Sequence, residues 1–279
     1  MIKKVAALHD ISGYGRSSLT VVIPVLSAME VYVCPVPTAV LSTSTAYPNP
    51  YIVDMTEHIV PILDHWKLMN FKFDAIYSGF LGSPKQCEIV KQMFHDFNHE
   101  NLLKVVDPVL GDNGEFYDAM PVAMVESMRG LVKSADIITP NLTEACLLLG
   151  ENYRDNLSQE EIENFAYRLA DFGPKMVVIT GIPEFNNSGE HTKTQVLAYS
   201  KPDKKMLLQT CDYIPAEFPG TGDAFASVIC GSLLHNNNLF TAVHKAMNYV
   251  YESIKLTFEE GADPREGVYQ EKTMPLLLL

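Results

Sequence analysis

The 279-residue sequence has little of what marks a secreted, membrane-spanning or nucleic-acid-binding chain. Its five cysteines, Cys34, Cys87, Cys146, Cys211 and Cys230, are odd in number, scattered and nowhere spaced C-x-x-C. That argues against a disulfide framework and fits reduced thiols in a cytoplasmic protein. Only a short apolar run follows Lys3-Lys4, far less than a signal peptide needs, and no later run approaches the roughly 20 residues of a membrane span. Basic residues are outnumbered 21 to 34, for a formal charge of −13, and they form no cluster. Nucleic acid and anionic membrane are therefore not expected partners. The phosphate-loop pattern G-x-x-x-x-G-K-[ST] is absent. Gly13-Tyr14-Gly15 begins a dinucleotide fingerprint, but Ser18 stands where its third glycine belongs and no acidic residue ends the following strand.

What the chain does have is 47% hydrophobic residues, enough for a large core, with no repeat or low-complexity linker to divide residues 1–279 into more than one domain. Strand and helix signals alternate. Strands are expected at 5–8, 31–40, 75–78, 102–106, 137–139 and 176–180, with a hairpin from 194–199 to 206–210. Pro35 and Pro37 demote 31–40 to an edge or irregular strand. Helices are expected at 17–29 (which contains Pro24), 54–69, 84–98, 121–133, 143–149, from the capping box Ser158-x-x-Glu161 to 172, and at 239–258. This alternation predicts an α/β fold: a mostly parallel sheet between two layers of helices. Ligands of such sheets bind at the carboxyl ends of the strands. Polar residues recur there: His9-Asp10, Asp107 and Asp112, Thr139 to Glu144, and Thr180-Gly181.

The most informative stretch is Phe218-Pro219-Gly220-Thr221-Gly222-Asp223-Ala224. From Ala224 to Leu234 the residues are small or apolar, as in a helix buried on every side, and Pro219 with the two glycines sets its first turn near 221–224. Backbone N–H groups without intrahelical partners, together with the helix dipole, make that turn an anion site. Asp223 within it reads either as a helix cap or as a base that takes the proton of a phosphoryl acceptor.

Asp107-Pro-Val-Leu-Gly-Asp112, Thr139-Pro-Asn-Leu-Thr-Glu144 and Gly220-Thr-Gly-Asp223, in this order, resemble the pyridoxal kinase family of the ribokinase-like superfamily. The likeness runs from Ser12-Gly13-Tyr14-Gly15 to the C-terminal helix. It implies a three-layer ribokinase-like fold and ATP-dependent phosphorylation of the 5′-hydroxymethyl group of pyridoxal, pyridoxine or pyridoxamine. Mg²⁺, a monovalent cation (K⁺ or Na⁺), and a cytoplasmic homodimer are implied as well. By the same resemblance Asp223 is the catalytic base, and Gly220, Thr221 and Gly222 form the anion hole. Asp112 and Glu144 act on the metal, while Asp107, Thr139, Asn141, Thr180 and Gly181 lie by the nucleotide phosphates. Ser12 and Thr45 contact the vitamin ring. Residues 112–117 match a mobile loop over the nucleotide, with Gly114 as hinge and Tyr117 near the substrates. Taken alone, Asp107 also reads as a strand-end cap, Glu144 as a first-turn helix residue and Tyr117 as loop packing.

The family's S-x-Q-S-H-like first strand end is replaced here by Ala7-Leu8-His9-Asp10-Ile11-Ser12. His9 or Asp10 then becomes the candidate partner of the ring nitrogen or phenol. Hydroxymethylpyrimidine phosphate kinases share T-P-N-x-x-E but usually end in G-T-G-C, so Asp223 argues against that rival. A vitamin-binding regulatory homologue without activity is the other alternative. His95 and His99 have metal-pair spacing but read as a solvated helix face, Trp66 as core or interface, and Leu276–Leu279 as a short edge or frayed tail.

Overall fold

A computed structural model of the chain describes residues 2–117 and 120–278. In chain order the elements are β1 (Lys3–Ser12), α1 (Leu19–Ala28), β2 (Val31–Leu41), β3 (Ile52–Asp54), α2 (Thr56–Leu68), β4 (Ala75–Ser78), α3 (Pro84–Asp96), β5 (Leu103–Val106), β6 (Gly111–Asp112), β7 (Glu115–Phe116) and α4 (Ala123–Val132). Then follow β8 (Ile137–Ile138), α5 (Leu142–Leu149), α6 (Gln159–Asp171), β9 (Met176–Phe185), β10 (His191–Ser200), β11 (Lys205–Asp212), α7 (Thr221–Leu234), α8 (Leu239–Glu259) and α9 (Gln270–Thr273).

Nine strands form one sheet in the order β11-β10-β9-β8-β5-β4-β1-β2-β3. The six from β9 to β2 run parallel, and antiparallel strands close both edges. Alternation along each strand feeds two cores, because successive side chains leave a strand on opposite faces. Ala6, Leu8, Ile76, Val106, Ile138 and Val177 pack with α2 to α6. Val5, Ala7, Tyr77, Val105, Ile137 and Val178 pack with α1, α7 and α8. This is the expected three-layer α/β/α fold. Among the described residues no helix is long and apolar enough to cross a membrane.

Three local differences from the sequence reading have physical reasons. β1 runs on to Ser12, so His9 and Asp10 lie inside the strand; there Thr38 and Ala39 of β2 stand opposite the single Asp10, a bulge that re-aims the side chains around it. β9 continues to Phe185 because β10 pairs with it to the end. Residues 111–116 fold as the small hairpin β6–β7, turning through Asn113 (φ 51°) and Gly114 (φ 81°), the two left-handed residues of a tight hairpin turn. β2 pairs with β3 only over Ala39–Leu41, so Pro35 and Pro37 sit on an open edge, as anticipated. The tail Leu276–Leu279 begins in a 3-10 turn that buries Leu277; Leu279 lies outside the described residues.

Candidate active site

α7 begins where the sequence places it. Gly220 precedes the helix at φ 81°, and a Cβ there would stand 2.4 Å from the Arg16 carbonyl oxygen, so only glycine fits. Among the described residues no side chain caps the helix, which leaves its first N–H groups open. Gly222 differs from Gly220: none of the described residues lies within 4 Å of where its Cβ would be, and the residue lines a cavity. Its missing side chain leaves space for a ligand.

Asp223, in that first turn, keeps its side chain 14% exposed. Its Oδ2 accepts the Ser18 N–H at 2.7 Å, and its Oδ1 lies 3.6 Å from Nδ1 of His9. His9 is 0% exposed, packs edge-on against Tyr77 at 4.4 Å, and neither ring nitrogen has a hydrogen-bond partner among the described residues. Asp10 is buried and accepts the Ser18 hydroxyl. Burial raises its carboxyl to about 6, Ser18 opposing and the charge of Asp223 adding.

Further along the strand ends, Asp107 Oδ1 accepts the Thr139 hydroxyl at 2.9 Å. Burial and then Asp223 push the Asp107 carboxyl up to about 7. Glu144 closes a capping box on α5: its Oε2 accepts Asn141 N–H at 2.8 Å, while Oε1 accepts Leu110 N–H at 3.1 Å. Burial, followed by the charge of Asp107, lifts its carboxyl well above the usual range. Each oxygen still has a lone pair free. Several carboxylates that resist ionising together form a site that favours a cation.

The cavity, about 270 Å³, opens beside α7. Asp112, Asn141, Thr180, Gly181, Thr221 and Gly222 line its polar end, and Val196, Ile214, Met247, Val250 and Ile254 its apolar wall. Four strand-end candidates, Asp112, Asn141, Thr180 and Gly181, and the α7 turn thus share one cleft. Tyr117, 42% exposed, donates its N–H to the Leu110 carbonyl at 3.0 Å; burial raises its phenol, and the charges of Glu144, Asp112, Asp107 and Asp223 add to the rise. Ser12 is buried and accepts the Ser17 hydroxyl at 3.0 Å. Thr45 is exposed on the turn after β2 and has no hydrogen bond to this cluster. Gly114, offered as a hinge, donates its N–H to the Thr143 hydroxyl at 2.9 Å. Among the described residues no three His, Cys, Asp or Glu side chains form a closed metal cage.

Sequence reasoning missed Ser18 and the apolar wall. A serine before a helix reads as a cap, and apolar residues on α8 and β10 read as core.

The family model of phosphomethylpyrimidine kinase matches residues 23–266. The chain belongs to this family. It superposes over 100% of its length, with TM-score 0.96 and 46% identity, on 96% of a provisionally assigned phosphomethylpyrimidine kinase of Bacteroides thetaiotaomicron crystallised with pyridoxal. The pyridoxal kinase of Lactobacillus plantarum superposes with TM-score 0.89 at 28% identity, over 100% of this chain and 97% of that one. The pyridoxal kinase of Ovis aries is 29% identical over 227 residues, 76% of this chain and 72% of that protein. The resemblance to pyridoxal kinases and the ribokinase-like fold are both borne out.

Proposed function

We propose that this chain is a pyridoxal kinase, transferring the γ-phosphoryl group of ATP to the 5′-hydroxymethyl group of pyridoxal, pyridoxine or pyridoxamine. The observation that carries the reading is the open first turn of α7, with Asp223 held beside it and a cavity leading into it. The apolar wall suits a nucleotide base, and the polar end, with Asn141, Thr180 and Gly181, suits its phosphates. The N–H groups of Thr221, Gly222 and Asp223 receive the charge that builds on the transferring group. Asp223 accepts the proton of the attacking hydroxyl. By family likeness Ser12 and Tyr117 are taken as vitamer contacts.

Hard oxygen donors around Asp107, Asp112 and Glu144, without a closed cage, fit Mg²⁺ bound partly by phosphate oxygens and water. Bound there, the ion neutralises charge on the phosphates. The same reading takes the chain as a cytoplasmic homodimer built from one domain; free cysteines support the compartment, and family likeness alone supports the dimer.

Phosphorylation of hydroxymethylpyrimidine, or of its phosphate, is the second reading, favoured by the description of the matching family. Asp223 in place of the usual cysteine argues against it. Purified protein with Mg²⁺ and ATP is assayed against the three B6 vitamers and hydroxymethylpyrimidine, following ADP release and the phosphorylated position by NMR. Vitamer-dependent ADP release with a 5′-phosphate product is expected. Turnover of the pyrimidine alone would establish the second reading, and none with any acceptor would leave a vitamin-binding homologue without activity.

A further inference from the structure

Ser18 stands at φ 53°, ψ −130°, a conformation open to glycine and strained for serine. As the residue preceding α1 it is of the type that normally caps its own helix with its hydroxyl. Here the hydroxyl makes no capping bond and crosses instead to the buried carboxylate of Asp10. Its other polar groups are also committed: the carbonyl accepts Val21 and Val22 N–H at 2.9 Å each, and the N–H donates to Asp223 Oδ2 at 2.7 Å. A strained residue that forgoes its own cap in order to bind two carboxylates, one of them 205 residues away, is held there for what it does to one of them. Asp10, 5% exposed, has no cation partner among the described residues; the Ser18 hydroxyl is the side-chain donor it meets.

We propose that Ser18 is a positioning residue, anchored by Asp10, whose N–H fixes Oδ2 of Asp223 and so presents Oδ1 as the oxygen that takes the substrate proton. The proposal rests on the reading of Asp223 as the base. Asp10 then acts through Ser18 and does not bind the vitamin ring. Among the described residues Oδ1 accepts no hydrogen bond, and Nδ1 of His9 stops 3.6 Å from it.

The test compares Ser18→Ala, Ser18→Gly, Asp10→Ala, Asp10→Asn and the double variant Ser18→Ala/Asp10→Ala with the parent, measuring kcat and both KM values. Asp223→Asn is the reference. Ser18→Ala and Asp10→Ala should each lower kcat on the order of 10- to 10²-fold, since a misplaced reacting group costs that much, with both KM values nearly unchanged. The double variant should be no worse than either single one, because both break one linkage. Asp10→Asn should recover much of the rate, its amide oxygen still accepting the Ser18 hydroxyl. Ser18→Gly relieves the strain and keeps the N–H, so it should fold at least as well as the parent and yet lose kcat like Ser18→Ala; it decides the matter if Ser18→Ala does not fold. A raised KM for pyridoxal with unchanged kcat in the Asp10 variants would make Asp10 a ring contact and overturn the proposal. Parental kcat in Ser18→Ala and Ser18→Gly, with Asp223→Asn inactive, would overturn it while leaving the base in place. An active Asp223→Asn would remove the base and the proposal together.

Discussion

Two helices start at the same edge of the sheet, and both carry an acid at the third position of the first turn, yet those turns are built in opposite ways. In α5 the preceding residue is Asn141; its Oδ1 accepts Glu144 N–H at 2.8 Å, and Glu144 folds back onto Asn141 N–H. In α7 the preceding residue is Gly220, no side chain caps the turn, and Asp223 turns away to the Ser18 N–H. The capped end spends the N–H groups of Asn141 and Glu144 within the chain. The open end keeps its donors and its dipole for a ligand. Identical positions in two first turns therefore take different work, decided by whether the residue before the helix has a side chain.

Breaking the open end should cost the most activity. Asp223→Asn keeps a side chain able to accept the Ser18 N–H but not a substrate proton, so single-turnover phosphorylation of pyridoxal should fall on the order of 10²- to 10⁴-fold. Calorimetry should show ATP and pyridoxal still binding. Gly222→Val adds a side chain where the protein leaves open space, so its melting temperature should stay near that of the parent while kcat/KM falls on the order of 10²-fold.

Breaking the capped end should cost stability first. Glu144→Ala removes the acceptor of one buried and one half-buried N–H group, at about 1–3 kcal/mol in denaturant unfolding, and should raise the Mg²⁺ concentration needed for half-maximal rate. The smallest effect is a pH dependence. Burial raises the carboxyls of Asp10 and Asp107 in the folded chain to about 6 and about 7, above their unfolded value of 3.8. Their contribution to stability is complete below the unfolded value and is lost as pH rises through the folded ones. The ligand-free protein should therefore melt at a lower temperature at pH 8 than at pH 5, and Asp107→Asn should flatten that slope.

How much of this was legible in the sequence depended on whether a residue's partner lay nearby in the chain. The first turn of α7 could be read from Pro219, Gly220 and Gly222, and the Ser158 box from its spacing, because both are local backbone chemistry. The Asn141–Glu144 box has the same spacing as Ser158–Glu161. Spacing alone could not separate a capping acid from one that faces a metal. Asn113-Gly114 carried a hairpin signal that a loop reading passed over. Ser18 was invisible for a different reason: its partner Asp223 meets it only after α1 and α7 are packed together, and Asp10 reaches it only across the turn that follows β1. The apolar wall of the cavity could not be told from core, since Met247 and Val196 are buried like their neighbours that never face a ligand.

Amide hydrogen exchange across the two first turns tests the central contrast most directly. In the ligand-free protein the amides of Gly222 and Asp223 should exchange freely, and those of Glu144 and Ala145 should be protected. With an ATP analogue, Mg²⁺ and pyridoxal bound, Gly222 and Asp223 should gain protection while Glu144 and Ala145 stay as they were. Protection at Gly222 and Asp223 that is already present without ligand, or that ligand leaves unchanged, would contradict an open helix end as the phosphoryl site.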